Sequence, residues 1–247
     1  MASNVKVGSA RIDESGKASG GKAGDQTGKE LSTQNWYKHS KGWRVFRPVN
    51  REDAEKIAQD MQWACDNSHI GYDQGQRTTL YNVAKDVGFN CKKVTKNCET
   101  DCSALVRVCC AYAGIDLPSF RTTNEGTVLL NSGKFKEMVG TKYTESQDYL
   151  KRGDILVTKT QGHTVIVLND GKYAQTDKPE IYKAVIVTGG SVNIRTAPNT
   201  ETGKIIGVVY KGNALEYQGE TSDNNWYLVV YKNKNGWISG KYSKLTT

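Results

Sequence analysis

Apolar positions recur at helical spacing in three long stretches. Over residues 51–66 (REDAEKIAQDMQWACD), Ala54, Ile57, Ala58, Met61 and Cys65 fall three or four residues apart, and Asn50 precedes them as an N-cap. Leu80, Val83, Ala84 and Val87 repeat the period and stop at Gly88. A third run starts near Cys102, passes through Leu105, Val106, Cys109 and Ala113, and stops at Gly114. A short fourth helix is predicted over about 124–131. The texture then changes to strand-like runs, DILVT (154–158), HTVIVL (163–168) and KYAQT (172–176). The turn Asn169-Asp170-Gly171 joins the last two as a hairpin. Helices first and strands afterwards predict an α+β domain with an antiparallel sheet.

Residues 177–188 read as a connector and a new start. Beyond them come SVNIRTAP, KIIGVVYKG, NALEYQGET, NWYLVVYKN and NGWISGKYSKL, short strands separated by tight turns. That many short strands in about 60 residues predict a small all-β barrel. The expected division is a catalytic-type domain over 1–183 and a barrel over 184–247. The Gly-, Ser- and Lys-rich start predicts a flexible stretch over about residues 1–30.

Composition narrows the function classes. The 247 residues carry 34 Lys and Arg against 26 Asp and Glu, a formal +8. After residue 184 the count is 7 against 4, or +3, and before it 27 against 22, or +5. The charge is thus spread out, without the basic block of a nucleic-acid arm, so no nucleic-acid partner is expected. An acidic cell-wall polymer remains a suitable partner. No apolar stretch approaches the ~20 residues of a membrane span, and no membrane partner is expected. The start has no apolar h-region, so synthesis in the cytoplasm without a secretory signal is expected. The six cysteines, Cys65, Cys91, Cys98, Cys102, Cys109 and Cys110, contain no CxxC pair, so neither a zinc site nor another cofactor is expected. Most are expected to be small core residues.

Cys102 stands apart. In Thr100-Asp101-Cys102-Ser103-Ala104-Leu105-Val106 a polar loop turns into an apolar helix. A thiol there faces unpaired N–H groups and the positive end of the helix dipole, which favour the nucleophilic thiolate. The competing reading is a cap at Asp101 or Thr100 with Cys102 packed in the core. A nucleophilic cysteine needs a base. Of His39, His69 and His163, the last opens an apolar strand and is held rigidly. In the predicted hairpin Gln175 comes opposite the start of that strand, where its amide oxygen can orient the imidazole.

These blocks, DCSALV, GDILV and GHTVIVLNDGKYAQT, resemble the NlpC family of papain-like cell-wall cysteine peptidases. The resemblance extends to the related phage amidase and CHAP (cysteine- and histidine-dependent amidohydrolase/peptidase) domains. It covers about residues 70–176 and implies a papain-like fold with Cys102 as nucleophile, His163 as base and Gln175 as the third polar residue. Tyr72, in Ile70-Gly71-Tyr72, matches the family's oxyanion-side tyrosine, with a half-buried aromatic as the alternative. Ala104 stands where the family usually has Gly, and about residues 76–98 form an insertion. The first ~50 residues match nothing in that core.

Val192-Asn193-Ile194-Arg195-Thr196-Ala197-Pro198, Gly207, Lys211-Gly212, Trp226 and Gly236-Trp237-Ile238 resemble the bacterial SH3-like cell-wall-binding domain. Among its aromatics Trp226, Tyr227 and Trp237 are the candidates for wall contact. Together the resemblances imply an endolysin-like peptidoglycan hydrolase, acting as a monomer on the bacterial wall after release. The implied bond is a D-glutamyl amide of the stem peptide. The alternatives are an N-acetylmuramoyl-L-alanine amidase and a non-catalytic wall-binding protein.

Overall fold

The structure is a computed structural model and describes residues 4–174, 184–232 and 234–246. The chain divides into two compact units, residues 1–176 and 177–247.

The first unit contains strands β1 (Lys6–Ala10), β2 (Leu31–Asn35), β3 (Trp43–Pro48), β4 (Ile70–Tyr72), β5 (Cys98–Thr100), β6 (Phe135–Glu137), β7 (Ile155–Thr158) and β8 (Thr164–Val167). Its α-helices are α1 (Arg51–Cys65), α2 (Thr79–Lys85), α3 (Cys102–Tyr112), α4 (Glu125–Asn131) and α5 (Thr141–Thr144). Six strands form one antiparallel sheet in the order β2-β1-β8-β7-β3-β6, and β4 and β5 form a separate parallel pair. The α+β reading with an antiparallel sheet therefore holds, and so do the four helices. Asn50 accepts from Glu52 N at 2.7 Å, the capping bond that opens α1.

One sheet face packs on α1 and α3 through Ala10, Phe46, Ile155, Val157 and Ile166, against Ile57, Met61, Leu105 and Cys109. The other carries a smaller cluster, with Val5, Val7, Trp43, Val165 and Val167 at its centre. This two-faced burial explains why β7 and β8 read as continuous apolar runs. The Gly153-Asp154 step before β7 has a structural reason. Gly153 has φ +91, and a Cβ there would meet Ala54 O at 2.4 Å. Asp154 is buried and takes a two-pronged pair from Arg47 at 2.7 and 2.8 Å, which ties β7 to β3.

Two expectations fail. Residues 4–30 are not a flexible tail. Lys6–Ala10 is the interior strand β1, paired with both β2 and β8. The loop after it is held by carboxylates on backbone N–H groups. Asp13 accepts from Ser15 and Lys17, Asp25 from Thr27 and Gly28, and Asp73 from Gly20. Glu30 accepts from Tyr72 N at 3.0 Å and so fastens the loop to β4. A run poor in apolar residues is ordered here by polar side chains bonding to backbone, which composition does not register. Among the described residues no strand follows β8 before residue 175, where the predicted hairpin needs one. Residues 172–174 form a turn, and both edges of β8 are already occupied, by β7 and β1.

The second unit is all β: β9 (Ala184–Val187), β10 (Ser191–Arg195), β11 (Ile205–Tyr210), β12 (Ala214–Thr221), β13 (Trp226–Tyr231), β14 (Lys234–Ser239) and β15 (Ser243–Thr246). They form one antiparallel sheet in the order β11-β10-β14-β13-β12-β9-β15 around Val185, Val187, Val192, Ile194, Val209, Val229 and Ile238. β9 falls within the stretch read as a connector. Among the described residues no helix is long and apolar enough to cross a membrane.

Candidate active site

Cys102 is the first residue of α3. Asp101 caps the helix, its Oδ1 accepting from Ala104 N at 2.7 Å and from Ser103 Oγ at 2.9 Å. The cap is itself fixed by the buried Arg77 guanidinium, which pairs with both Asp101 oxygens and donates to Ser103 Oγ at 2.8 Å. Asp101 thus caps the helix, and Cys102 beside it is buried, only 7% exposed. The thiol receives the backbone N–H of Thr164, the first residue of β8, and that of Ser103. This sets Sγ one residue from His163.

The imidazole of His163 points its Nε2 to Ser9 Oγ, 3.2 Å away on β1. Among the described residues no hydrogen bond joins thiol and imidazole, so the pair is neighbouring but unlinked in this state. Burial pushes the Cys102 thiol up to about 12, helped by the negative charges of Asp101 and Glu125. Burial pushes His163 down to about 4, helped by His39 and Arg11. The resting pair is therefore a neutral thiol beside a neutral imidazole.

Tyr72, on β4, is buried, and burial followed by the nearby Cys102 and Asp101 pushes its phenol up to about 12. Gln74 Nε2 donates to its hydroxyl oxygen at 3.0 Å, which leaves the hydroxyl hydrogen free to be donated. Tyr72 thus stands near the thiol. Gln175 lies outside the described residues.

Several neighbours escaped the sequence reading. Ser9 and Arg11 come from the segment read as flexible. Tyr37 lies within electrostatic reach of Arg11 and Cys102. His39 stacks edge-on against Trp43, with ring centroids 5.1 Å apart. Behind Thr164, Glu125 is fully buried and accepts from Thr164 Oγ1 at 2.8 Å, and burial pushes its carboxyl up to about 8. The signal that could have found Ser9 and Arg11 is the alternation in Val5, Val7, Ser9, Arg11, which puts two polar residues in line with two apolar ones. His69 bonds Asn97 instead, at 2.7 Å. All six cysteines are free. Among the described residues no group of three or more His, Cys, Asp or Glu side chains is arranged to hold a metal ion.

In the second unit Trp226 lines a groove of about 340 Å³ with Asn193, Arg195, Lys241 and Tyr242. Tyr227 packs against the barrel core, its ring 6.2 Å from that of Tyr217. Trp237 is half-buried on β14 and does not line that groove. Tyr242, 45% exposed, does, and was not singled out from the sequence.

The first unit is thus an α+β domain with a thiol and an imidazole beside its antiparallel sheet, and the second is a small all-β domain. The chain belongs to the endolysin-like domain family, which it matches over residues 7–174, and residues 190–244 match the bacterial SH3 domain. No curated protein and no solved structure matches it. The combination is that of a peptidoglycan-acting endolysin with a cell-wall-binding domain. The family match begins at Val7, inside β1, so the strand that carries Ser9 is part of the domain itself.

Proposed function

We propose that the protein is a cysteine peptidase of peptidoglycan, with a papain-like, NlpC-type catalytic domain over about residues 1–183 and a wall-binding SH3-like domain over 184–247. The carrying observation is the Cys102 thiol at the start of α3, held by the Thr164 N–H next to His163. In this reading Nε2–H of His163 donates to Ser9, which leaves Nδ1 to take the thiol proton as substrate enters. The thiolate attacks an amide carbonyl, the imidazolium protonates the leaving amine, and water releases the acyl-enzyme. The Cys102 N–H and the Tyr72 hydroxyl stabilise the oxyanion. Gln175 is a second candidate for orienting His163. The bond favoured by the NlpC resemblance is a D-glutamyl amide of the stem peptide. The barrel raises the local concentration of such bonds, with Trp226, Tyr227 and Trp237 as its proposed wall contacts.

The test compares the wild-type chain with Cys102→Ala, Cys109→Ala and Cys110→Ala on purified walls, with circular dichroism as the fold control. Cys102→Ala should abolish clearing. The other two should retain most of it, because both residues are fully buried in the core. Mass spectrometry of the released fragments should show new amino termini after D-glutamate. Fragments with free lactyl groups on the muramic acid would instead identify an amidase. Full clearing by a folded Cys102→Ala chain would end the cysteine reading.

A further inference from the structure

We propose that Arg11 is a substrate-binding residue of the Cys102–His163 site, one that takes a carboxylate flanking the scissile amide. The proposal rests on the reading of the site given above and adds a binding group that neither the motifs nor the family match assigns. Arg11 follows β1 directly. Gly8 pairs with Ile166 across β1 and β8, Ser9 Oγ meets His163 Nε2, and Arg11, two residues on, lies within electrostatic reach of that imidazole. Side chains two apart share a face, and Ser9 already meets the His163 ring.

The guanidinium is exposed and, among the described residues, has no carboxylate partner; its side-chain hydrogen bond is a long one to Ser32 Oγ, 3.4 Å. The chain's other arginines near the sheet are engaged with acids: Arg44 with Glu137, Arg47 with Asp154 and Arg77 with Asp101. An exposed guanidinium without an acidic partner, near His163, is suited to a two-pronged grip on a planar anion. A stem peptide of the wall supplies carboxylates next to its amide bonds. Arg11 also helps to hold His163 neutral, so neutralising it with a substrate anion favours the imidazolium the reaction requires.

The test uses the full chain carrying Cys102→Ala and two stem peptides. They are identical except that the carboxylate flanking the scissile amide is free in one and amidated in the other. Calorimetry should show the free acid binding about tenfold more tightly. Adding Arg11→Gln should bring the two peptides to within about twofold of each other, and Arg11→Lys should keep an intermediate preference, since an ammonium offers charge without the fork. Equal binding of the two peptides, no binding of either, or a preference that survives Arg11→Gln would overturn the proposal. Wall clearing by Cys102→Ala would instead overturn the cysteine reading, and the binding comparison would still judge Arg11.

Discussion

The places of Cys102 and His163 in the fold were legible because each sits at a junction that local sequence marks: a polar loop entering an apolar helix, and a glycine entering an apolar strand. Ser9 was not legible, since its role depends on a contact with a residue 154 positions away. The sequence reading filled that vacancy with Gln175 by assuming a hairpin. The two candidates separate experimentally. Ser9→Ala removes one neutral hydrogen bond from the imidazole, so kcat should fall roughly three- to tenfold with KM little changed. The ¹⁵N signals of His163 should show loss of the Nε2–H form, and Ser9→Thr should restore much of both. A Gln175→Ala chain with normal kcat and normal histidine signals would confine the role to Ser9. Wild-type behaviour of Ser9→Ala together with a slow Gln175→Ala would return the role to the glutamine.

At the scale of elements, the sequence revealed those with a long period and clear ends. α1, α3, β7 and β8 announce themselves through capping residues, glycine stops and apolar runs. β4, β5 and β6 have three residues each, too few for any period to show. β1 was hidden for another reason: in KVGSA the glycine packs on Met61, where a Cβ would come within 2.7 Å of its side chain, and the serine meets the His163 ring. The β4–β5 pair carries a prediction of its own. Glu99 on β5 is fully buried, and neither of its carboxylate oxygens has a hydrogen-bond partner. Burial pushes its carboxyl up to about 8, helped by Glu30, Asp73, Glu14 and Asp13. A carboxyl raised on folding contributes stability that is fully present below its unfolded value and is lost as pH rises through the folded one. Stability should therefore decline between about pH 5 and pH 8. Glu99→Gln should flatten that decline in urea-denaturation midpoints, because an amide stays neutral and can donate to the neighbouring carboxylates. An unchanged slope would mean that Glu99 is ionised in the native protein.

For the molecule as a whole, the division of labour predicts that residues 184–247 fold alone, since they contain all seven barrel strands and the barrel core. That fragment should sediment with purified walls. High salt should weaken the binding only in part if aromatic contacts dominate over the barrel's modest charge. A fragment left in the supernatant at moderate salt would remove wall targeting from this unit. The opposite end behaves differently. A chain lacking residues 1–12 should fail to fold its first unit, with loss of cooperative thermal unfolding by circular dichroism, although composition reads that segment as dispensable. The position of β1 also has a consequence in time. A strand near the amino terminus pairs with one ending at residue 167, and a ribosome adds about 5–20 residues per second. β1 therefore waits roughly 8 to 30 seconds for β8. During that interval neither the imidazole nor the hydroxyl that meets it is in place. On the mechanism proposed above, a growing chain lacks its placed base, and so its hydrolytic power, until synthesis of the first unit is almost complete.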